Sequence, residues 1–531
     1  MLKAYRNFES SFSVNKAAII VGFFTLVSRL TGLLRDRLFA SKFGAGDILD
    51  AYYAAFRIPD FVFNLLILGT LSVAFIPIFS ELLVKDKEQA NRTANSILNS
   101  TFLLMFSICA LLWFFSASLS KALVPGFEGE KLANTVSLTK LFLLSPVIFT
   151  LSNVFSSILN SQKRFVAVGL APVLYNLGII FGLLVLFPRF GIMGIGYGVI
   201  IGACLHLFIQ VPEAIMLGFR WQPVLDFKDK AFQKMTKLFV PRIFGLDNSQ
   251  ISLLIGSVIG SFLASGSIAI LNLANNLQAV PIGIFAISIS VASFPALSQL
   301  YAEKNQKQFL ETLSESLLQI LFFIIPLTIF ILLLRAHLVR LAYGAGNFSW
   351  EDTILTFKTL GVFAFSLFAQ STSPLLARSF YARQNTLIPV IINFFTMALN
   401  ASLAFFLGKS YGVVGIAAAF SIASVFNALC LFIVLHYFLS RDDEIQLIKN
   451  FDLGILLQTS KIVISALGGG LAAYGALYAA EPFVNTRTVL GLLLQAGAGS
   501  LFGAGVYFMA ASSLNLTQAK RLLLFFKYGS K

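Results

Sequence analysis

The chain is a succession of apolar blocks, each roughly 20 residues long, the length that crosses the hydrocarbon core of a bilayer. They fall at about 17–40, 51–83, 96–120, 134–160, 166–187 and 191–218, then at 238–263, 266–298, 313–336, 352–380, 386–409 and 413–440, and last at 460–480 and 489–512. A polar break, Phe219 to Lys237, separates the first two groups, and a charged amphipathic segment, Arg441 to Leu457, precedes the third. Only 12% of residues are charged and 57% are hydrophobic, whereas a soluble domain carries roughly 25% charged residues. The expected fold is therefore an all-α polytopic membrane protein of about 14 transmembrane helices, grouped as six, six and two. Residues 1–218 form an N-lobe, 219–237 an inter-lobe linker, 238–440 a C-lobe, and 441–531 the amphipathic segment, two further helices and a basic tail.

An internal repeat supports that division. Pro172-Val173-Leu174-Tyr175-Asn176 precedes Gly191-Ile192-Met193-Gly194-Ile195, and Pro389-Val390-Ile391-Ile392-Asn393 precedes Gly412-Val413-Val414-Gly415-Ile416. Each copy opens after a basic turn, Lys163-Arg164 in one and Arg383 in the other. Two pseudo-symmetric halves after an even number of spans make a parallel repeat, a design in which a substrate site lies between halves.

The net charge of +15 is scattered through the gaps between blocks rather than gathered in a stripe, so no nucleic-acid partner is expected. Lys and Arg concentrate in the loops on the side of the amino terminus, most in Arg220, Lys228, Lys230, Lys234 and Lys237, while Ala264 to Gly266 carries none. Both termini are expected in the cytoplasm. The first helix lacks a small-residue cleavage site and is expected to stay in the membrane. Cys109, Cys204 and Cys430 lie inside apolar blocks without metal-type spacing and read as small buried hydrophobes.

A charge at mid-bilayer costs at least about 2.5–3.5 kcal/mol on insertion scales, so ionisable residues inside blocks are candidates for function. Arg29 lies within the first block, with Arg35, Asp36 and Arg37 following; Asp50 and Arg57 lie in the second, before Pro59 and Asp60. Pro59 is expected to kink its helix. In one reading Arg29, Arg35 and Arg57 line a water-filled cavity and fork onto phosphate oxygens. In the other, Arg29 pairs with Asp36 and Arg57 with Asp50 or Asp60, as neutral structural pairs, and Arg35 and Arg37 snorkel to the interface. In the second half, Arg242 and Asp247 open the seventh span, and Asn272, Asn275 and Asn276 lie on the eighth. Those amides either bind a polar headgroup or hold helices together. Lys140, Lys358, Ser249-Gln250 and Gln370-Ser371-Thr372-Ser373 add polar surface.

No enzyme signature is present. His206, His337 and His436 are far apart and lack carboxylates at ligand spacing, and there is no phosphate loop for ATP. No metal site or cofactor is expected; movement of a substrate would draw on a coupling ion, the membrane potential, or the substrate's own gradient.

The runs Ser28-Arg29-Leu30-Thr31-Gly32-Leu33-Leu34-Arg35-Asp36, Phe43-Gly44-Ala45-Gly46 and Asp50-Ala51-Tyr52-Tyr53-Ala54-Ala55-Phe56-Arg57-Ile58-Pro59 resemble the bacterial lipid II flippases of the MurJ (MviN) type, in the MOP exporter superfamily. Ala171-Pro172 with Asn176, Ser249-Gln250-Ile251 and Phe262 to Ser267 match as well, from about Lys16 to the end of the twelfth span. The resemblance implies two six-helix lobes around a V-shaped cavity, working by alternating access in the bacterial cytoplasmic membrane. Its cargo would be the polyprenyl-pyrophosphate-linked peptidoglycan precursor, its tail held in a groove of the last two helices. Arg29, Arg35, Asp50 and Arg57 fall on family motif positions. The chain departs from the pattern at Phe61-Val62-Phe63-Asn64, where arginines are expected, and at Asn275-Asn276, where the family has Asp-Arg. Arg242 is then the candidate to compensate. The expected partners are lipid II or a related polyprenyl-pyrophosphate lipid, membrane lipids and peptidoglycan-synthesis enzymes. The alternatives are a flippase for another lipid-linked oligosaccharide, a multidrug exporter, and a non-transporting scaffold for cell-wall enzymes.

Overall fold

The computed structural model describes residues 14–66, 71–229, 232–233, 248–442 and 445–528. Arg242 and Asp247 lie outside the described residues. The chain forms two compact units, residues 1–268 with 345–347, and residues 269–344 with 348–531.

In the first unit the helices are α1 Val14–Phe43, α2 Asp47–Leu66, α3 Leu71–Lys85, α4 Lys87–Phe114, α5 Ser116–Leu123, α6 Gly129–Phe142, α7 Leu144–Ser161, α8 Val166–Phe181, α9 Ile192–Phe208, α10 Val211–Met216 and α11 Asn248–Gly260. The next helix, α12 Ser267–Pro281, begins at the boundary. The second unit continues with α13 Ser288–Ala302, α14 Gln306–Tyr343, α15 Trp350–Ala364, α16 Leu367–Ala382, α17 Leu387–Asp442, α18 Ile445–Ala480, α19 Val489–Ser513 and α20 Thr517–Tyr528.

Among the described residues nine helical stretches are long and apolar enough to cross a membrane, and α15 with α16, bent by 45°, makes a tenth. One of the nine, Leu387–Ser440, contains two of the expected blocks, joined through Gly412. The expected spans missing from that count have visible reasons. The helices α1 and α2 carry the Arg and Asp residues named above, and much of the block ahead of α11 lies outside the described residues. The all-helical, many-span class is as the blocks require, and its helices are compatible with about 14 crossings.

Helix starts follow local chemistry. Asp86 caps α4 by accepting from the amides of Glu88 and Gln89. Ser349 and Asp352 form a reciprocal capping box on α15, satisfying amides that have no intrahelical partner. Pro59 does not break α2, which runs on to Leu66.

The repeat is written into the backbone. Gly191 has φ 56 and ψ −143, and Gly412 has φ 62 and ψ −143, a conformation open almost only to glycine. Three residues on, a Cβ at Gly194 would strike the backbone of Leu186, and one at Gly415 the backbone of Leu407. Upstream, Lys163 and Gln384 both take left-handed φ values, 58 and 60, where a helix closes and the next opens. These three pairs share one sequence interval. The Pro172/Pro389 and Asn176/Asn393 match falls one helical turn short of it, so the backbone equivalence is set by the turns and glycines rather than by the prolines.

Candidate substrate site

In the first unit, polar side chains from α1, α2, α8 and α11 meet between helices whose outer faces are apolar. Arg35 on α1 directs Nε and Nη2 to Oδ1 of Asp36, at 2.9 and 2.7 Å, and Nη1 to Oδ1 of Asn176 on α8, at 3.0 Å. Asn176 in turn donates to the carbonyls of Ser28 and Pro172. Gly32 faces it, and a Cβ there would make ordinary contact, 3.6 Å from the Asn176 amide nitrogen. One guanidinium and one amide thus join α1 to α8, and Arg35 is mostly covered rather than snorkelling. Asp36 takes Arg35 as its ion-pair partner. Arg29, one to two turns earlier, is exposed on α1 among exposed Leu26, Leu30 and Leu33.

Arg57 on α2 is buried, and its Nε donates to Ser257 Oγ on α11 at 2.9 Å. Asp60, one turn on and exposed, is the carboxylate whose charge acts on Arg57; it also acts on Arg35. Tyr52, Tyr53 and Tyr175 lie within the same field. Beneath them is an aromatic floor: Phe56 stacks on Phe142 at 4.1 Å, and Tyr52 meets Phe39 at 4.8 Å and Phe56 at 5.0 Å. Two guanidiniums, two carboxylates and three phenols gathered within a helical bundle form a polar surface suited to an anionic, hydroxyl-rich headgroup.

Asp50 is in a different setting. It is 1% exposed and accepts from Lys131 Nζ on α6 at 2.8 Å and from the backbone amide of Gly266 at 2.8 Å. Lys131 also reaches Asp47 at 2.6 Å and lies 4.1 Å over the ring of Phe127, while Ser265 Oγ donates to Asp47 at 2.6 Å. Partial burial of Asp47 opposes its ionisation. The hydrogen bonds from Lys131 and Ser265 and the charge of Lys131 outweigh that and hold the carboxyl below its ordinary value. Asp47 and Asp50, three residues apart at the start of α2, thus share one lysine and grip the loop before α12. Gly266, at φ 87, is required there, since a Cβ would strike the carbonyl of Ala45.

In the second unit Asn275 belongs to a chain of amides and hydroxyls. Its Oδ1 accepts from Gln278 at 3.0 Å, Gln278 accepts from Gln370 at 3.1 Å, and Gln370 donates to Ser366, which donates to Ser421. This network joins α12, α16 and α17, the cohesive use of such amides. Asn272 is buried, and Asn276 is half-buried and has polar partners of its own. An apolar cavity of about 840 Å³ lies between α14, α16, α17 and α18, with Leu321, Ile329, Phe432 and Val463 in its wall. His436 and Asp452, joined at 2.8 Å, add its main polar feature. Along α18 and α19, Gly469, Gly499 and Gly503 permit close helix contact, as small residues do in membranes.

Sequence reasoning missed Lys131, which sits beside Glu128 and Glu130 in a polar gap and reads as a loop charge. It also missed Ser257 and Tyr175 as neighbours of the arginines. The pair Asp47 and Asp50 at one helix start was the available signal.

Helices long and apolar enough to cross a membrane many times, a duplicated backbone pattern and a guanidinium buried inside the helices define a polytopic membrane protein with the build of a transporter. Residues 39–494 match the family described as "Lipid II flippase MurJ". A "Probable lipid II flippase MurJ" of Buchnera aphidicola subsp. Acyrthosiphon pisum is 32% identical, over 78% of this chain and 82% of that protein. One of Vibrio cholerae is 29% identical, over 79% and 82%. A solved structure titled "Lipid II flippase MurJ, inward closed conformation" aligns with a TM-score of 0.73 and 27% identity, covering 93% of this chain and 98% of its own. A multidrug resistance MATE family transporter of the MOP superfamily shares the fold alone, with a TM-score of 0.61 and 16% identity over 80% of this chain and 98% of its own. The chain belongs to the MurJ lipid II flippase family.

Proposed function

We propose that the chain carries lipid II from the inner to the outer leaflet of the bacterial cytoplasmic membrane by alternating access, with both termini in the cytoplasm. The cluster of Arg35, Asp36, Arg57 and Asp60 carries this reading, because family membership supplies the cargo and the cluster supplies a surface for its pyrophosphate. Arg35 Nη1 rests on neutral Asn176 and Arg57 Nε on neutral Ser257, contacts that a phosphate oxygen can outcompete, while Arg35 Nε and Nη2 stay on Asp36. Arg29 extends the cationic surface along α1. Asp50 acts in this reading by fixing the start of α2. The two halves read from the sequence, residues 1–218 and 238–440, would alternate access in this reading, Arg242 remains the candidate cation of the second half, and the apolar cavity of the second unit would take part of the lipid tail.

Asn275 favours a second reading. With Asn276 it stands where the resemblance puts an Asp-Arg pair, and it is engaged with Gln278, so the second unit presents amides there in place of an arginine, which would suit the sugars of another polyprenyl-pyrophosphate-linked oligosaccharide. The test is complementation of a bacterium depleted of its own lipid II flippase by the wild type, Arg57→Ala and Asn275→Ala. Rescue by the wild type and loss with Arg57→Ala is the expected result. Failure of a well-inserted wild-type protein would move the assignment to the other cargo, and rescue by Arg57→Ala would remove that arginine from the site.

A further inference from the structure

The segment after α10 does not leave the first unit as a free loop. It runs extended along α4, fastened by three asparagines. Asn91 exchanges hydrogen bonds with the backbone of Arg220, at 3.2 and 3.3 Å. Asn95 donates to the Arg220 carbonyl at 2.8 Å and accepts from the Gln222 amide at 2.9 Å. Asn99 donates to the carbonyls of Gln222 and Val224, at 2.8 and 2.9 Å, and accepts from the indole of Trp221 at 3.1 Å. The chain then turns back: the Asp226 amide meets Ser96 Oγ at 2.9 Å, the Asp226 carboxylate meets Arg92 at 3.0 Å, and Asp229 accepts from Thr93 at 2.6 Å. Asn91, Asn95 and Asn99 are spaced i, i+4, i+8 on one helix face. At 1.5 Å per residue the segment climbs about 12 Å along α4 before returning.

This arrangement answers a specific physical problem. Extended backbone in water needs no side-chain partners, because water satisfies it. Backbone carried into an apolar layer must find every partner within the protein. Asn99 already lies within the apolar block of α4, and the ladder's face continues into Leu103 and Phe106, which are 45% and 52% exposed on the flank of a membrane-spanning helix. The outward side of the segment is apolar, with Trp221 65%, Leu225 45% and Phe227 58% exposed. Exposed Arg220 and Lys228 stand at its base, on the end of α4 that the Lys and Arg count assigns to the cytoplasm.

We propose that residues 220–228 form a wedge seated in the headgroup layer of the inner leaflet. Its occupant is anionic phospholipid: Trp221, Leu225 and Phe227 enter the acyl boundary, and Arg220 and Lys228 meet phosphate oxygens. Tryptophan favours that depth, and a basic group at an anionic surface raises lipid association about fivefold. The asparagine ladder is the device that lets non-helical backbone reach there. The proposal is independent of the cargo.

The test uses the full chain with Trp113→Phe and Trp350→Phe, leaving Trp221 as the sole indole, in vesicles of phosphatidylcholine with or without phosphatidylglycerol. Lipids brominated near the headgroup should lower Trp221 emission, as for an indole held at that depth, and brominated phosphatidylglycerol should quench more than brominated phosphatidylcholine at equal mole fraction. In the unsubstituted protein, a phosphatidylglycerol bearing a photoactivatable acyl chain should label the peptide containing Trp221 to Phe227. Quenching by aqueous acrylamide with none by brominated lipid, or labelling confined to other peptides, would overturn the insertion. Equal quenching by the two brominated lipids would overturn the assignment of the lipid class.

Discussion

Lys131 gives the sharpest energetic prediction. Its ammonium is the cation facing two carboxylates, at 2.6 Å for Asp47 and 2.8 Å for Asp50. Lys131→Met keeps the apolar stem and removes the charge. Asp47 loses little, because its side chain is 62% exposed and water replaces the lysine. Asp50 is 1% exposed and retains the Gly266 amide, but it loses the ammonium that neutralises its charge. Removing one partner of a buried pair costs about 3–5 kcal/mol. The remaining amide and the 16% exposure of Lys131, which admits some water, place this case near the lower figure, about 3 kcal/mol. At about 2 °C per kcal/mol, the lower end for large domains, the apparent midpoint should fall about 6 °C. The assay is thermal unfolding of detergent-purified protein, with all variants scanned at one rate because unfolding of such proteins is often irreversible. Asp50→Asn in the Lys131→Met background removes the stranded charge and should recover more than half of the loss. A Lys131→Met protein as stable as wild type, or a double variant that loses the sum of the two single effects, would refute the account of Asp50 as a buried anion neutralised by Lys131.

Three further expectations concern other parts of the chain. The Asp47 carboxyl is held below its ordinary value, so its contribution is present above the unfolded value of about 3.9 and is lost as pH falls through the folded one; midpoint against pH should be flat in this respect from 7 to 5, and Asp47→Asn should remove part of the acid sensitivity below about 4. Gly191→Ala and Gly412→Ala, at nearly identical φ and ψ, should each destabilise by about 1–3 kcal/mol, and matching shifts in thermal midpoint would check the structural equivalence of the two corners. Val463→Trp should fill part of the apolar cavity of the second unit and reduce co-purifying lipid measured by mass spectrometry, without loss of folded yield.

The crossings were legible because nothing else explains apolar blocks of that length, and Gly412 was visible as the break between two of them. Arg35 and Arg57 stood out because charge is rare in such blocks. Their companions did not, since serine, asparagine and tyrosine are unremarkable in a helix until another helix brings a guanidinium to them. Pairing was misleading for a related reason: Arg29 and Asp36 share a helix face, yet Asp36 binds the adjacent Arg35, whose guanidinium is also held by Asn176 on α8. The repeat was found through its prolines, but helices tolerate a one-turn shift of proline and asparagine, whereas a left-handed corner has no such latitude. The ladder Asn91, Asn95, Asn99 had a readable period, but its partner is backbone, which leaves no signature in the sequence.

The grip of Asp50 on Gly266 also shapes how this contact can change by mutation. The donor is a main-chain amide, present whatever residue stands there, except proline. Drift in the side chains of the loop therefore cannot abolish the bond directly; at position 266 it can only crowd Ala45. On the α2 side one codon decides everything, because a single base change at Asp50 can replace the acceptor. The two halves of the contact are thus exposed very unequally to mutation, and a screen for variants loosened at this point should collect substitutions at Asp50 and Lys131, and bulky ones at Gly266, far more often than changes at Ser265.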